Sequence, residues 1–219
     1  MSQPPEIAAR IRSWENDGPQ GPMTLELYPT LACNLNCSFC DTTDRHRPPV
    51  HELSEERLLE IVDEAAHMGV QRLFLLGGGE PLLRKTATPA IMVRAKEHGM
   101  EGILTTNGTL LNKQLSEKIL DIEWDEIHFS VDGPRPEIHD ELRGKRGAFK
   151  KTIQNAWCLA ARRKKRGIIN PRIALHFVLT NKNHGTLTEM VELAHAVGAF
   201  RVDFDALIAY TPEQEALAL

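Results

Sequence analysis

From Thr24 onward, strand-like and helix-like patterns take turns, and this alternation limits the fold more than any other feature of the chain. A first strand over Leu25–Pro29 leads into a cysteine-bearing loop. Ser54 then stands as the N-cap of a helix with Leu58, Ile61, Val62 and Ala65 on one stripe, closed by Gly69. Gln71–Leu76 is a second strand and Thr88–His98 a second helix, closed by Gly99. Gly102–Thr106 leads through Asn107-Gly108 into a helix bearing Leu115 and Ile119. Glu126–Val131 precedes a helix from Phe149 to about Lys165, and Arg172–Leu179 precedes one carrying Leu187, Met190, Val191, Ala194 and Val197. A last strand covers Phe200–Leu207. Such a succession implies a parallel sheet, because each helix serves as the right-handed crossover to the next strand.

The strands also differ from those of a closed barrel filled with aliphatic side chains. Ile127, Phe129 and Val131 alternate with His128, Ser130 and Asp132; Val202, Phe204 and Ala206 alternate with Arg201, Asp203 and Asp205. The apolar set is expected against the helices, which leaves a polar inner face that must be solvated or filled by a polar ligand. An open, curved sheet follows. Residues 1–22 form an N-terminal extension with a short helix over Ile7–Trp14, 23–210 the core domain, and 211–219 the start of a helix or linker cut from a longer parent. A chain of 219 residues suffices for one large α/β domain. Its net charge of −4 gives no reason to expect nucleic acid, and no apolar run or leader pattern points to a membrane.

The chemistry is concentrated in Cys33-Asn-Leu-Asn-Cys37-Ser-Phe-Cys40. Cysteines this close share a metal or cluster in a reducing compartment more readily than they form a disulfide framework, so the cytosol is the expected location. Three thiolates can hold three irons of a cubane cluster and leave the fourth iron open to a ligand. A structural zinc completed by Asp41 or His46 is the competing reading, but the three-residue spacer does not suit the paired-cysteine pattern of such sites.

The same loop, placed after a first strand and opening a βα unit, resembles the defining loop of the radical S-adenosylmethionine (SAM) superfamily. The resemblance runs from about Leu25 to Leu207 and includes Phe39, the aromatic before the last cysteine, beside the SAM adenine. It implies a partial (β/α)6 parallel barrel, a [4Fe-4S] cluster on Cys33, Cys37 and Cys40, and SAM as its partner. Gly77-Gly78-Gly79-Glu80-Pro81 is similar to the segment that holds the SAM amino group, which implies a role for Gly78, Gly79 and Glu80. Ser130 and Asp132 match ribose-binding positions, with Asn107 nearby, and Arg143 in Leu142-Arg143-Gly144 matches an arginine on the SAM carboxylate. Val178 to Asn181 and Leu207-Ile208 fall where the family flanks the adenine.

The implied reaction is reductive cleavage of SAM to a 5′-deoxyadenosyl radical that abstracts hydrogen from a substrate in the polar interior. An electron donor such as a flavodoxin or ferredoxin is implied as well. His176, Asp203 and Asp205, with Glu26 and Tyr28, are the residues expected to face that substrate. The Ser-Val-Asp-Gly, Leu-Arg-Gly and Gly-Ala-Phe segments resemble the branch with a C-terminal SPASM or twitch domain, whose members modify peptides or proteins; sugar, nucleoside and lipid substrates stay open. Two other readings compete. A passive iron–sulfur or zinc module explains the cysteines but not Gly78–Glu80. A cluster-free nucleotide enzyme lacks the Gly-x-Gly-x-x-Gly fingerprint. Arg162–Arg166 is expected as a solvated helix end and Cys158 as an inert buried thiol.

Overall fold

The structure, a computed structural model, describes residues 5–18, 21–40 and 51–219. After α1 (Pro5–Asp17), six strands alternate with helices: β1 (Thr24–Leu27), α2 (Glu55–His67), β2 (Arg72–Leu75), α3 (Ala87–Glu97), β3 (Glu101–Thr106), α4 (Lys113–Asp121) and β4 (Glu126–Ser130). Two helices follow, α5 (Pro136–Leu142) and α6 (Ala148–Arg166), before β5 (Arg172–Leu179), α7 (Leu187–Val197), β6 (Arg201–Ala206) and the single turn α8 (Pro212–Glu215). The strands lie in chain order, every pair parallel, with β1 and β6 as the edges of an open α/β sheet. The expected strand–helix succession is therefore present throughout.

Local chemistry accounts for the boundaries. Ser54 caps α2 by accepting from Arg57 N at 3.2 Å, and Asn112 caps α4 by accepting from Leu115 N at 2.9 Å. The sheet's helix-facing side is closed by Leu73, Leu75, Leu104, Ile127, Phe129, Ile173, Leu175 and Phe177, all buried. The Trp124 ring packs over Gly102, where no side chain would fit, and its Nε1 donates to Glu126 O at 3.1 Å.

Four expectations need correction. The segment between the fourth strand and its long helix contains α5, which begins with Pro136 at its first position, a place suited to a residue without N–H. The inner face is not polar throughout: Phe74, Leu76 and Ile103 stand half-buried on that face in and beside β2 and β3, among Arg72, Glu101 and Thr105. The apolar face of β6 is not covered: Phe204 stays 36 % exposed, held edge-on to Phe177 at 5.5 Å. It lies on an edge strand, and among the described residues only α8 follows it. Finally, the arginines at the basic end of α6 are tied down, while Lys164 and Lys165 stay exposed as expected. Arg162 and Arg166 pair with Glu117, Arg166 also with Asp121, and Arg163 donates to Pro171 O and Gly198 O. Cys158 is half-buried.

Candidate active site at the carboxyl edge of the sheet

The three loop cysteines, Gly78, Gly79, Glu80, Asn107, Ser130, Asp132 and Arg143 lie where the strands end, the edge at which open α/β sheets bind ligands. Cys33, Cys37 and Cys40 follow β1, and none of the chain's four cysteines is in a disulfide. Leu35, Cys37 and Ala148 form a small buried cluster with Phe39, Cys33 and Cys40 packed against it, so the first residue of α6 supports the cysteine loop. The segment after α5 clamps the same loop: Asn36 N donates to Arg143 O at 3.1 Å and Ser38 N to Leu142 O at 2.9 Å. Burial pushes the Cys33 and Cys37 thiols up; a bond from Leu35 N draws Cys33 down, and the Arg143 cation draws Cys37 down.

Arg143 lies at the centre of this clamp. It is buried, its Nη1 stands 3.7 Å from Cys37 Sγ, and its guanidinium lies over the Phe39 ring at 5.3 Å. Its Nε forms an ion pair with Asp132 Oδ2, set off the line of a hydrogen bond. Asp132 is wholly buried and also accepts from Val178 N at 2.9 Å. Its backbone N–H donates to His139 Nδ1 at 3.2 Å. Burial, helped by the Arg143 cation, pushes the His139 imidazole down to about 3, so the ring is neutral.

Glu80 ends β2's loop fully buried, with both carboxylate oxygens engaged: Thr106 Oγ1 donates at 2.6 Å, Asn107 N at 2.7 Å and Leu82 N at 3.0 Å. Burial raises its pKa against the pull of these bonds. Gly79 lies against the Ala32 backbone, with Gly79 N donating to Thr30 O at 3.1 Å and Glu80 N to Ala32 O at 2.8 Å. Gly78 lies against the Leu31 side chain. The glycine loop is thus docked directly on the approach to Cys33.

The Asn107 amide is spent within the protein, donating to Asn34 Oδ1 at 2.9 Å and accepting from Thr109 N at 2.9 Å. Asn34 was not foreseen as a site residue; its position between Cys33 and Cys37 was the only signal. Ser130 is buried at the end of β4, paired in register with His176. His176 forms a short contact with Asp205, and Asp203 accepts from Arg201 Nε at 2.8 Å. Glu26 and Tyr28 are exposed. Lower on the inner face, buried Glu126 gathers His128 at 2.6 Å, Arg172 at 2.8 Å and Arg201 at 2.7 Å. Leu207 N donates to Leu179 O at 3.2 Å, which brings the two expected adenine-flanking segments together, and Asn181 N donates to Leu217 O at 2.9 Å.

Three thiols on one loop, in an apolar bed beside a buried cation, have the chemistry to serve as donors to three irons of an iron–sulfur cluster, with a fourth iron left open. Among the described residues no three His, Cys, Asp or Glu side chains converge on a single metal ion. Asp41 and His46, the fourth ligands of the zinc reading, lie outside the described residues.

Comparison with known proteins agrees. The model of the Radical SAM superfamily matches residues 27–194. An AdoMet-dependent heme synthase of Methanosarcina barkeri is 32% identical over 173 residues, covering 78% of this chain and 46% of that protein. A PqqA peptide cyclase of Granulibacter bethesdensis is 31% identical over 182 residues, covering 83% and 46%. The crystal structure of Streptococcus suis SuiB bound to precursor peptide SuiA superposes with a TM-score of 0.77 at 19% identity, over 98% of this chain and 46% of that one. The chain spans about half the length of the relatives it matches.

Proposed function

From the premise that this chain belongs to the radical SAM superfamily, an enzyme family that uses a [4Fe-4S] cluster and SAM, we propose that residues 23–210 are a core domain acting on a peptide or protein substrate. The observation that carries the reading is the clamp that fixes Cys33, Cys37 and Cys40 beside Arg143 at the carboxyl edge of the sheet. When bound, the cluster and SAM supply one-electron cleavage and hydrogen-atom abstraction.

This chain's own residues do the rest. Cys33, Cys37 and Cys40 would hold the cluster, with Leu35, Phe39 and Ala148 as the apolar bed beside their thiols. Glu80 locks the ends of β2 and β3 together, setting the Gly78–Gly79 backbone for the amino group of SAM. Arg143, aimed by Asp132, offers its cation to the SAM carboxylate. Ser130 faces the ribose, and Asn107 acts through Asn34 by fixing the cysteine loop. His176 with Asp205, and Asp203 beside them, face the substrate across the inner face. A peptide substrate is supported by the similarity to a PqqA peptide cyclase and to SuiB bound to its precursor peptide SuiA. An external carrier protein supplies the electron, and the reducing cytosol suits the three thiols.

Anaerobic reconstitution with iron and sulfide, followed by SAM and dithionite, tests the proposal. The expected products are 5′-deoxyadenosine and methionine. A cluster that forms but leaves SAM uncut identifies a passive iron–sulfur module and refutes the proposal.

A further inference from the structure

We infer that the exposed cations Arg146, Lys150 and Lys151 form a docking face for an acidic one-electron carrier protein. The inference rests on the proposed cluster at Cys33, Cys37 and Cys40.

Position is the first reason. Lys145, at the inner edge of this surface, donates through Nζ to Asn34 O at 3.0 Å, inside the cysteine loop. Ala148, flanked by Arg146 and Lys150, packs on Leu35 and Cys37. A protein seated on these cations therefore rests against the backbone that wraps the cluster ligands, and electron transfer falls off steeply with distance.

The second reason is that the charge is placed against the interest of the helix. Lys150 and Lys151 lie in the first turn of α6, which contains no acidic residue and has no side-chain cap at Gly147. Cations there oppose the helix dipole, at about 0.3–1 kcal/mol each when exposed. Asp140 offsets part of this by accepting from Gly147 N at 2.5 Å and Phe149 N at 2.8 Å. Helix stability alone favours glutamate at these positions.

Third, the charge is uncommitted. The arginines at the other end of α6 are spent on Glu117, Asp121 and backbone carbonyls. Among the described residues, Arg146, Lys150 and Lys151 have no acidic partner. Together with Lys145 they outnumber Asp140, the carboxylate held at the start of α6, and an excess of positive charge speeds encounter with a negative partner without demanding a large interface. In the encounter one electron passes from the carrier's reduced flavin to the oxidised cluster. The anionic flavin hydroquinone becomes the neutral flavin radical, and no proton needs to cross.

The test follows bleaching of the cluster's visible absorbance in the reconstituted full chain, mixed anaerobically with flavodoxin hydroquinone as the carrier. The comparison is with the triple variant R146E/K150E/K151E. Glutamate in the first turn of α6 suits the dipole, so the variant keeps the helix. Reduction by flavodoxin is expected to slow at least about tenfold at low ionic strength and to lose its salt dependence, while reduction by dithionite is unchanged. A second variant, K164E/K165E at the far end of α6, is expected to match the wild type with both reductants. Equal flavodoxin rates in wild type and triple variant overturn the inference, as does an equal loss in both variants. A protein that no reductant bleaches refutes the cluster itself, and so separates failure of the premise from failure of the docking face.

Discussion

Arg143 lies between a thiol and a carboxylate, its Nη1 3.7 Å from Cys37 Sγ and its Nε paired with Asp132, all three groups buried. A buried guanidinium is tolerated only with its counter-charge. Asp132→Asn is therefore expected to cost about 3 kcal/mol or more in urea unfolding of the apo-protein. The double variant Asp132→Leu/Arg143→Met should recover much of that loss, because it removes both charges together. If the single variant unfolds like the wild type, the pair is not what holds this clamp.

The three loop cysteines and Cys158 should separate cleanly. Alanine at Cys33, Cys37 or Cys40 is expected to abolish retention of iron and sulfide after anaerobic reconstitution, and Cys158→Ala to leave it intact. Metal and sulfide analysis of the four purified variants decides. Full loading of any loop variant would remove that thiol from the ligand set.

Gly79 has no room for a side chain, since a Cβ there would run into the Ala32 carbonyl. Gly79→Ala must push the Cys33 approach away from the glycine loop. It is expected to lower SAM affinity at least about tenfold, or 1.4 kcal/mol, in equilibrium dialysis of the reconstituted protein. Gly185→Ala, where a Cβ meets open space, serves as the matched control.

His139 makes a pH prediction whose sign can be worked out. Its folded pKa of about 3 lies below the ordinary 6.5. Below pH 6.5 the unfolded chain therefore takes up a proton that the native one refuses. The stability this burial allows is whole above about 6.5 and is lost as pH falls toward 3, at up to about 1.4 kcal/mol per unit. His139→Asn keeps an acceptor for Asp132 N–H and should flatten the slope of unfolding free energy between pH 6.5 and about 4.5. Parallel slopes in variant and wild type would contradict it.

Much of this was legible in the chain. The β5 strand matches its sequence pattern residue for residue, because Ile173, Leu175 and Phe177 alternate with Arg172, Ala174 and His176 between clear breakers. The Ser54 cap was legible for the same reason: its signal is local. The tie from Asp132 to Arg143, and that from Asn107 to Asn34, were not. Both join side chains across loops, where no periodicity announces a partner. The inner face was only half legible, since alternation in β4 and β6 says nothing about Phe74 or Ile103 on their neighbours.

The clamp on the cysteine loop also imposes an order of assembly. The ligands sit near the beginning of the sheet, but their supports at Leu142, Arg143 and Ala148 come from the far side of β4. A nascent chain that has made Cys40 owns all three loop thiols but lacks Leu142, Arg143 and Ala148, which brace them. The braced form of the cysteine loop therefore exists only after roughly a further hundred residues have been synthesised, a late-built support for a motif encoded early.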